Sequence, residues 1–308
     1  MSVPWVPTKF TQLTDTPSAY TGQGLRRPRV NDALTALEFD YDGVDVINVE
    51  EARSDIRSTT RAGYSAFSSY AGLQTLVDAA GADKVFYFPA NGIFEMGGNL
   101  LKTSAKQQTF MSFGRGAEIK NGGVEVFNIR CAIDNLRLTG TSTNGYGIHI
   151  TDTTFPDWVA GGSTPAPEFY HALSTFLLVR NVEVRDKTVA VYNNTVSGLN
   201  RFERLFTLNC VNGIYIDHTN YASDSGDWEL DSCRLTAGTA YSGIGMQVVK
   251  LGGLAINNTK FQAWDKGLLL KPTTAVNSLV TSVHRVNLTG CRFEDSVTYD
   301  IHITADAG

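Results

Sequence analysis

Charge is scarce in this 308-residue chain: Asp, Glu, Lys and Arg make up 19% of it, where about a quarter is ordinary. Lys and Arg number 26 against 31 Asp and Glu, a formal net charge of −5. That balance excludes a broad basic surface for nucleic acid. No run approaches the ~18 apolar residues that a membrane span needs. No basic stretch followed by an apolar run stands near the start, so no secretion signal is expected. The four cysteines, Cys131, Cys210, Cys233 and Cys291, make no CxxC or other metal-type pair, and neither a metal nor a cofactor is expected. No GxSxG, P-loop, HExxH or dinucleotide-binding glycine pattern occurs. These absences describe a soluble chain made in a reducing cytoplasm.

Gly is plentiful, at 29 residues, and Thr, Asn, Val and Ile recur, a composition that favours strands and turns. Three segments follow one another. Residues 1–40 form an arm, because Pro4, Pro7, Pro17 and Pro28 forbid long regular elements there. Residues 41–83 form a connector holding one short helix over Tyr70–Ala80, capped by Ser68 or Ser69 and ended by Gly81. Leu73, Leu76 and Val77 make its apolar face. Residues 84–308 read as short strands cut by Gly, Pro and Asn.

The second half repeats itself. Six residues serve as anchors: Leu136, Val182, Cys210, Cys233, Thr259 and Cys291. Five positions before them stand Cys131, Leu177, Leu205, Trp228, Leu254 and Val286. Immediately before them stand Asn135, Asn181, Asn209, Ser232, Asn258 and Gly290. Asn and Gly tolerate the left-handed bend that turns a chain sharply. Each repeat continues into a second strand, Ile148/Ile150, Val189/Val191, Ile214/Ile216, Ile244/Met246, Leu268/Leu270 and Ile301/Ile303. Gly147, Gly213, Gly243 and Gly267 precede four of these. One such coil cannot bury its apolar side alone, but coils stacked at ~4.8 Å place like over like. The expected fold is all-β, a right-handed parallel β-helix (solenoid) with an N-terminal arm and a short capping helix. A β-sandwich does not call for Asn, Ser or Gly before each anchor. The cysteines read as small buried hydrophobes in the solenoid core. The longest step, from Leu136 to Val182, holds an insertion over 152–172.

Two stretches resemble known proteins. Residues 10–39 (FTQLTDTPSAYTGQGLRRPRVNDALTALEF) resemble a segment that recurs in bacteriophage tail-fibre and tailspike proteins. FYFPANG at 86–92 and GRGAEIKNG at 114–122 resemble the opening coils of pectate-lyase-like tailspikes, whose β-helix begins beneath a capping helix. The resemblance implies a homotrimer in the virion, attached to other tail or baseplate proteins through residues 1–40. Leu13, Thr14, Asp15, Pro17, Tyr20, Arg26, Arg27 and Arg29 would then belong to virion attachment. It also implies a β-helix that binds, and in many members cleaves, bacterial surface polysaccharide.

The residues offer several sites and commit to no catalytic set. Glu229 and Asp231 stand outward four and two positions before an anchor, with Asp227 and Asp224 in the preceding turn and Tyr221 near. Their neighbours on adjacent coils read as Phe206 and Leu208 below and Ala255 and Asn257 above. Hydrolysis of a glycoside needs two carboxylates, about 5–5.5 Å apart for retention or about 6.5–9.5 Å for inversion. Arg137, Arg234, Lys260 and Arg292 share one outward register, interrupted by Glu183 and Val211; Arg234 and Lys260 there would suit an acidic glycan. Trp158 and Tyr170 in the insertion would stack on sugar rings. His149 and His302 occupy corresponding outward positions too many coils apart to act together. The leading expectation is a trimeric phage tail spike or fibre protein that binds host-surface glycan. A polysaccharide depolymerase and an adaptor on which another fibre docks are the alternatives.

Overall fold

A computed structural model describes residues 27–30, 37–40, 45–58, 68–114, 116–127, 130–140, 145–151, 176–195, 197–217, 226–238, 242–249, 251–271 and 283–304, with 27–30, 37–40, Asp45 and His284 as backbone only. Short strands pair into three parallel sheets, one of nine strands and two of eight. Each circuit of the chain adds one strand to each sheet in turn; one circuit is Asp227–Asp231, Arg234–Ala237 and Ile244–Val248, and the next begins at Leu251–Asn257. The fold is a right-handed parallel β-helix.

Each circuit leaves the first sheet through one residue in the left-handed region: Asn135, Asn181, Arg204, Ser232, Asn258 and Gly290 have φ of 54°, 53°, 52°, 55°, 49° and 64°. Some of these corner side chains also tie coil to coil. The Asn181 amide donates to Asp134 Oδ1 at 3.2 Å, and Arg204 Nε donates to Asn181 Oδ1 at 2.6 Å.

Inside, register stacks like on like. Ile133, Val179, Phe202, Leu230, Ile256 and Leu288 line one column of the first sheet. Ile148, Val191, Ile214, Met246, Leu268 and Ile301 line one of the third. Burying each of these side chains, the last-coil Leu288 and Ile301 apart, stabilises the fold by roughly 1.5–3 kcal/mol. A third kind of column is made by absence of a side chain. A Cβ on Gly245 would strike the Gly267 carbonyl oxygen and the rings of Phe261 and Trp264, so the coils approach there only as glycine.

The repeat needs one correction. In the coil over 200–216 the anchor is Leu205, not Cys210, because the corner is Arg204. Asn200, not Leu205, therefore stands beside Trp228 in the column of Leu177 and Leu254. Asn200 is buried there, its Oδ1 accepting from Leu177 N at 3.1 Å and its Nδ2 donating to Ser197 Oγ at 3.0 Å. The slip has a physical cause: the coil has two left-handed residues five apart, and Asn209, at φ 58°, marks a register shift between Thr207 and Cys210 rather than the corner. In the third sheet Val191/Asn193 and Met246/Val248 align with Ile148/Ile150, not Val189/Val191 and Ile244/Met246, and Gly245 replaces Gly243 beside Gly213 and Gly267.

The N-terminal end is covered. The strand Asp45–Asn48, inside the segment read as connector, pairs in parallel with Lys84–Phe88 and opens the first sheet. The helix Tyr70–Ala80 lies over the core with Leu73 and Val77 buried and Leu76 partly so. Its Gln74 amide accepts from Lys102 N at 2.9 Å and donates to Lys102 O at 3.1 Å, satisfying the edge of the third sheet. Ser58 Oγ accepts from Ile93 N at 2.7 Å on the edge of the second. Ser69 stands at the N-cap, but its hydroxyl serves Arg57 rather than the helix.

Candidate functional site

The outer face of the first sheet carries an open groove of about 700 Å³ near its C-terminal end. Its floor is Gly253 and Ala255, the two smallest outward residues of the strand Leu251–Asn257. Register sets the walls. Arg201, Glu229, Ala255 and Asn287 form one cross-coil row, and Asp227, Gly253 and Arg285 form the next. The Arg285 guanidinium reaches across Gly253 to Asp227, with NH2 to Oδ1 at 3.0 Å and to Oδ2 at 3.2 Å. Any Cβ at Gly253 would collide with the Asp227 carboxylate. Arg201 Nε stands 2.7 Å from Glu203 and 3.6 Å from Glu229. Leu199, half-exposed, forms an apolar rim.

Two expected catalytic candidates, Asp227 and Glu229, thus share this groove, and Asp231 lies one outward position beyond Glu229. Their neighbours differ from the sequence reading: below Glu229 and Asp231 stand Arg201 and Glu203, not Phe206 and Leu208. A second carboxylate, Glu203, therefore faces Asp231 across adjacent coils. The outward row through Glu229 is Ala132, Leu178, Arg201, Glu229, Ala255 and Asn287, with Arg201 in the place read as Phe206. Asp224, Tyr221, Trp158, Tyr170, Leu13, Thr14, Asp15, Pro17, Tyr20 and Arg26 lie outside the described residues, as do His171 and His218. Arg27 and Arg29 sit in the strand Arg27–Val30, which pairs antiparallel with Leu37–Asp40.

Arg234 and Lys260 are on the second sheet, away from the groove, in the row Arg137, Glu183, Phe206, Arg234, Lys260 and Arg292. Phe206 takes the place assigned to Val211, through the same five-residue slip. The cations are partnered: Arg234 donates to Gln262 at 3.0 Å, Lys260 meets Glu294 at 2.5 Å, and Arg137 stands 3.7 Å from Glu183.

A second cluster, on the outer face of the third sheet, was missed. Lys102, Glu125, His149, Tyr192 and Tyr215 occupy one row on consecutive coils. Lys102 Nζ lies 2.9 Å from Glu125 Oε1, and His149 Nδ1 lies 3.1 Å from Glu125 Oε2. Burial pushes the Glu125 carboxyl up, but the His149 and Lys102 hydrogen bonds outweigh it and hold the group below the usual range. Burial raises the Tyr192 and Tyr215 hydroxyls to about 12, with Asp217 adding to both. The His149 ring stacks on Tyr192 at 5.5 Å between centroids and 13° between planes. The signal was available: GVEV at 123–126 and GIHI at 147–150 are the same strand one coil apart. His302 ends this row, separated from His149 by Tyr192, Tyr215, Gln247 and Leu269.

The cysteines are free. Burial raises the thiols of Cys131, Cys210 and Cys233 to about 11, which leaves them unreactive core residues. Two of the four, not three, hold anchor positions. Among the described residues no group of His, Cys, Asp or Glu has the arrangement to hold a metal ion.

The molecule is thus a parallel β-helix protein with a mixed-charge groove on one outer face. No protein-family model matches the chain, and no curated protein sequence matches it. Among solved structures, a pectate lyase from Bacillus sp. N165 in complex with trigalacturonate is similar over 73% of this chain and 80% of its own, at 12% identity and a TM-score of 0.47. An alginate lyase from Paenibacillus sp. str. FPU-7 is similar over 77% and 97%, at 11% identity and a TM-score of 0.38. The A-module of a mannuronan C-5 epimerase from Azotobacter vinelandii is similar over 75% of each chain, at 11% identity and a TM-score of 0.31. At these values the likeness does not reach individual side chains, and the groove's chemistry rests on its own residues.

Proposed function

We propose that this chain is a subunit of a trimeric bacteriophage tail spike or fibre, and that its first-sheet groove holds a bacterial surface polysaccharide. The observation that carries the glycan reading is the groove itself. A floor of Gly253 and Ala255 leaves room for a sugar ring. Around it stand Arg201, Arg285, Asp227, Glu229 and Asn287, donors and acceptors in alternation, as polyhydroxylated ligands require. The virion part rests on the tail-fibre-like arm at residues 10–39. Binding is favoured over cleavage because Asp227 and Glu229 each face a guanidinium, whereas a glycosidase needs one carboxyl arranged to hold its proton.

One observation favours a depolymerase as the second reading. Glu203 and Asp231 project from directly paired positions on adjacent coils, about 5 Å apart at the backbone and within reach of a retaining pair once Glu203 leaves the Arg201 guanidinium, 2.7 Å away. Incubation with capsule or lipopolysaccharide separates the two. Binding without release of reducing ends or unsaturated uronates supports the first reading. Release that is abolished by Glu203→Gln or Asp231→Asn supports the second. Particle mass in solution tests the trimer.

A further inference from the structure

Charge on the outer face around the groove is unbalanced and already paired. Among the described residues of the first sheet from Asn200 onward, two cations, Arg201 and Arg285, stand among four carboxylates, Glu203, Asp227, Glu229 and Asp231. Gly253, Ala255, Asn257, Asn287 and Thr289 fill the positions between and beyond them. Both guanidinium groups are engaged. Arg285 gives one terminal nitrogen to both oxygens of Asp227, at 3.0 and 3.2 Å. Arg201 gives Nε to Glu203 at 2.7 Å, with Glu229 at 3.6 Å. A guanidinium has five N–H groups. Each arginine therefore still has donors to offer, but neither has an uncompensated charge.

We infer that the groove takes a glycan free of carboxylate, phosphate and sulfate groups, a chain of neutral hexoses, deoxyhexoses or N-acetylated sugars. The inference rests on the glycan reading of this groove and names the class of glycan. An acidic sugar finds no free cation here. To pair with Arg285 its carboxylate must displace Asp227, and to pair with Arg201 it must displace Glu203. Either exchange leaves a protein carboxylate without its partner beside a like charge. A neutral sugar displaces nothing. Its hydroxyls donate to the Asp227 and Glu229 oxygens and accept from the remaining guanidinium N–H groups, and the Asn287 amide can do both. Gly253, Ala255 and the half-exposed Leu199 supply apolar surface for the C–H face of a ring or for a methyl group. One consequence is that a cleaving groove would release reducing ends and never unsaturated uronates, which form only from acidic sugars.

Two arms test it with the full chain. In the first, an array carries neutral bacterial glycans and uronate-bearing ones, each of the latter beside its carboxyl-reduced, uncharged form. Wild type should retain neutral glycans, or a uronate glycan only after reduction. Its retention should change less than about twofold between roughly 0.05 and 0.5 M salt, because no net charge is exchanged. In the second arm, Asp227→Asn/Glu229→Gln frees the Arg285 guanidinium and removes two of the four carboxylates. Both side chains are half-exposed, 52% and 40%, and the swaps keep their shape, so circular dichroism should match wild type. The variant should bind polygalacturonate, used as a plain uronate polymer, about tenfold more tightly than wild type at low salt and lose that gain at high salt. Tighter wild-type binding to a uronate glycan than to its reduced form, or no gain by the variant, would overturn the inference while leaving the glycan reading in place. Wild type that retains neither kind of glycan would remove the glycan reading itself, and this inference with it.

Discussion

Lys187 offers the sharpest test of how tightly the coils are stacked. It is 2% exposed, and its ammonium donates to Gly122 O at 2.6 Å and Thr139 O at 3.3 Å, carbonyls of two earlier coils. Burial pushes its pKa down from 10.5 to about 8. The folded chain therefore gives up this proton before the unfolded chain does. Below pH 8 both states hold it and the cost of burying the charge is fully present. As the pH rises from about 8 to 10.5 the folded protein gains stability, and above 10.5 the cost is gone. At about 1.4 kcal/mol per pH unit the gap is worth about 3 kcal/mol. Lys187→Met, similar in volume and never charged, lacks this contribution. Urea unfolding of both proteins from pH 7 to pH 10 should show wild type gaining about 2–3 kcal/mol on the variant. The tyrosines and the thiols of Cys131 and Cys233 weaken both proteins alike at high pH and cancel in the difference; Cys210, whose thiol feels the Lys187 charge, is removed from the comparison by Cys210→Ala in both proteins. A difference that stays flat with pH would refute the reasoning, and with it the close stacking that buries the amine.

Other expectations follow from single positions. Trp228→Ala removes a fully buried ring stacked on Phe202 and should cost about 3–5 kcal/mol in chemical unfolding. Gly245→Val drives a side chain into the Gly267 carbonyl and two rings and should cost at least about 3 kcal/mol, or prevent folding, as circular dichroism would report. A thiol reagent should label Cys291 alone in the native protein and all four cysteines after unfolding, because the other three are buried. Rapid native labelling of Cys233 would contradict the solenoid interior described here.

The solenoid was legible because its two strongest signals coincide in sequence: a residue that tolerates a left-handed corner, then an apolar residue that must point inward. Where they did not coincide the reading slipped. At Arg204 a long charged side chain takes the corner, held by Asn181, while Asn209 five residues later supplies a false one. That one slip hid Arg201, which forms one wall of the groove, and Glu203 beside Asp231. The Asp227–Arg285 pair was beyond sequence reasoning for another reason. It skips a coil, and only the missing side chain of Gly253 lets it do so. His149 was read as outward, but its partners Lys102 and Glu125 were hidden because the repeat was aligned from Leu136 onward, whereas the stacking begins at Asp45–Asn48.

The most direct test of the functional claim is to screen the full chain against an array of bacterial capsular and lipopolysaccharide glycans, beside Gly253→Val and Arg201→Ala/Arg285→Ala. Valine at 253 pushes aside the Asp227 carboxylate, breaks its exposed pair with Arg285 and fills the groove floor, and both variants should keep a melting temperature within a few degrees of wild type, since an exposed pair is worth about 0–1 kcal/mol. Wild type should retain at least one glycan that both variants lose. Equal retention by all three proteins would place glycan binding elsewhere on the molecule, and no retention by wild type would remove the glycan reading altogether.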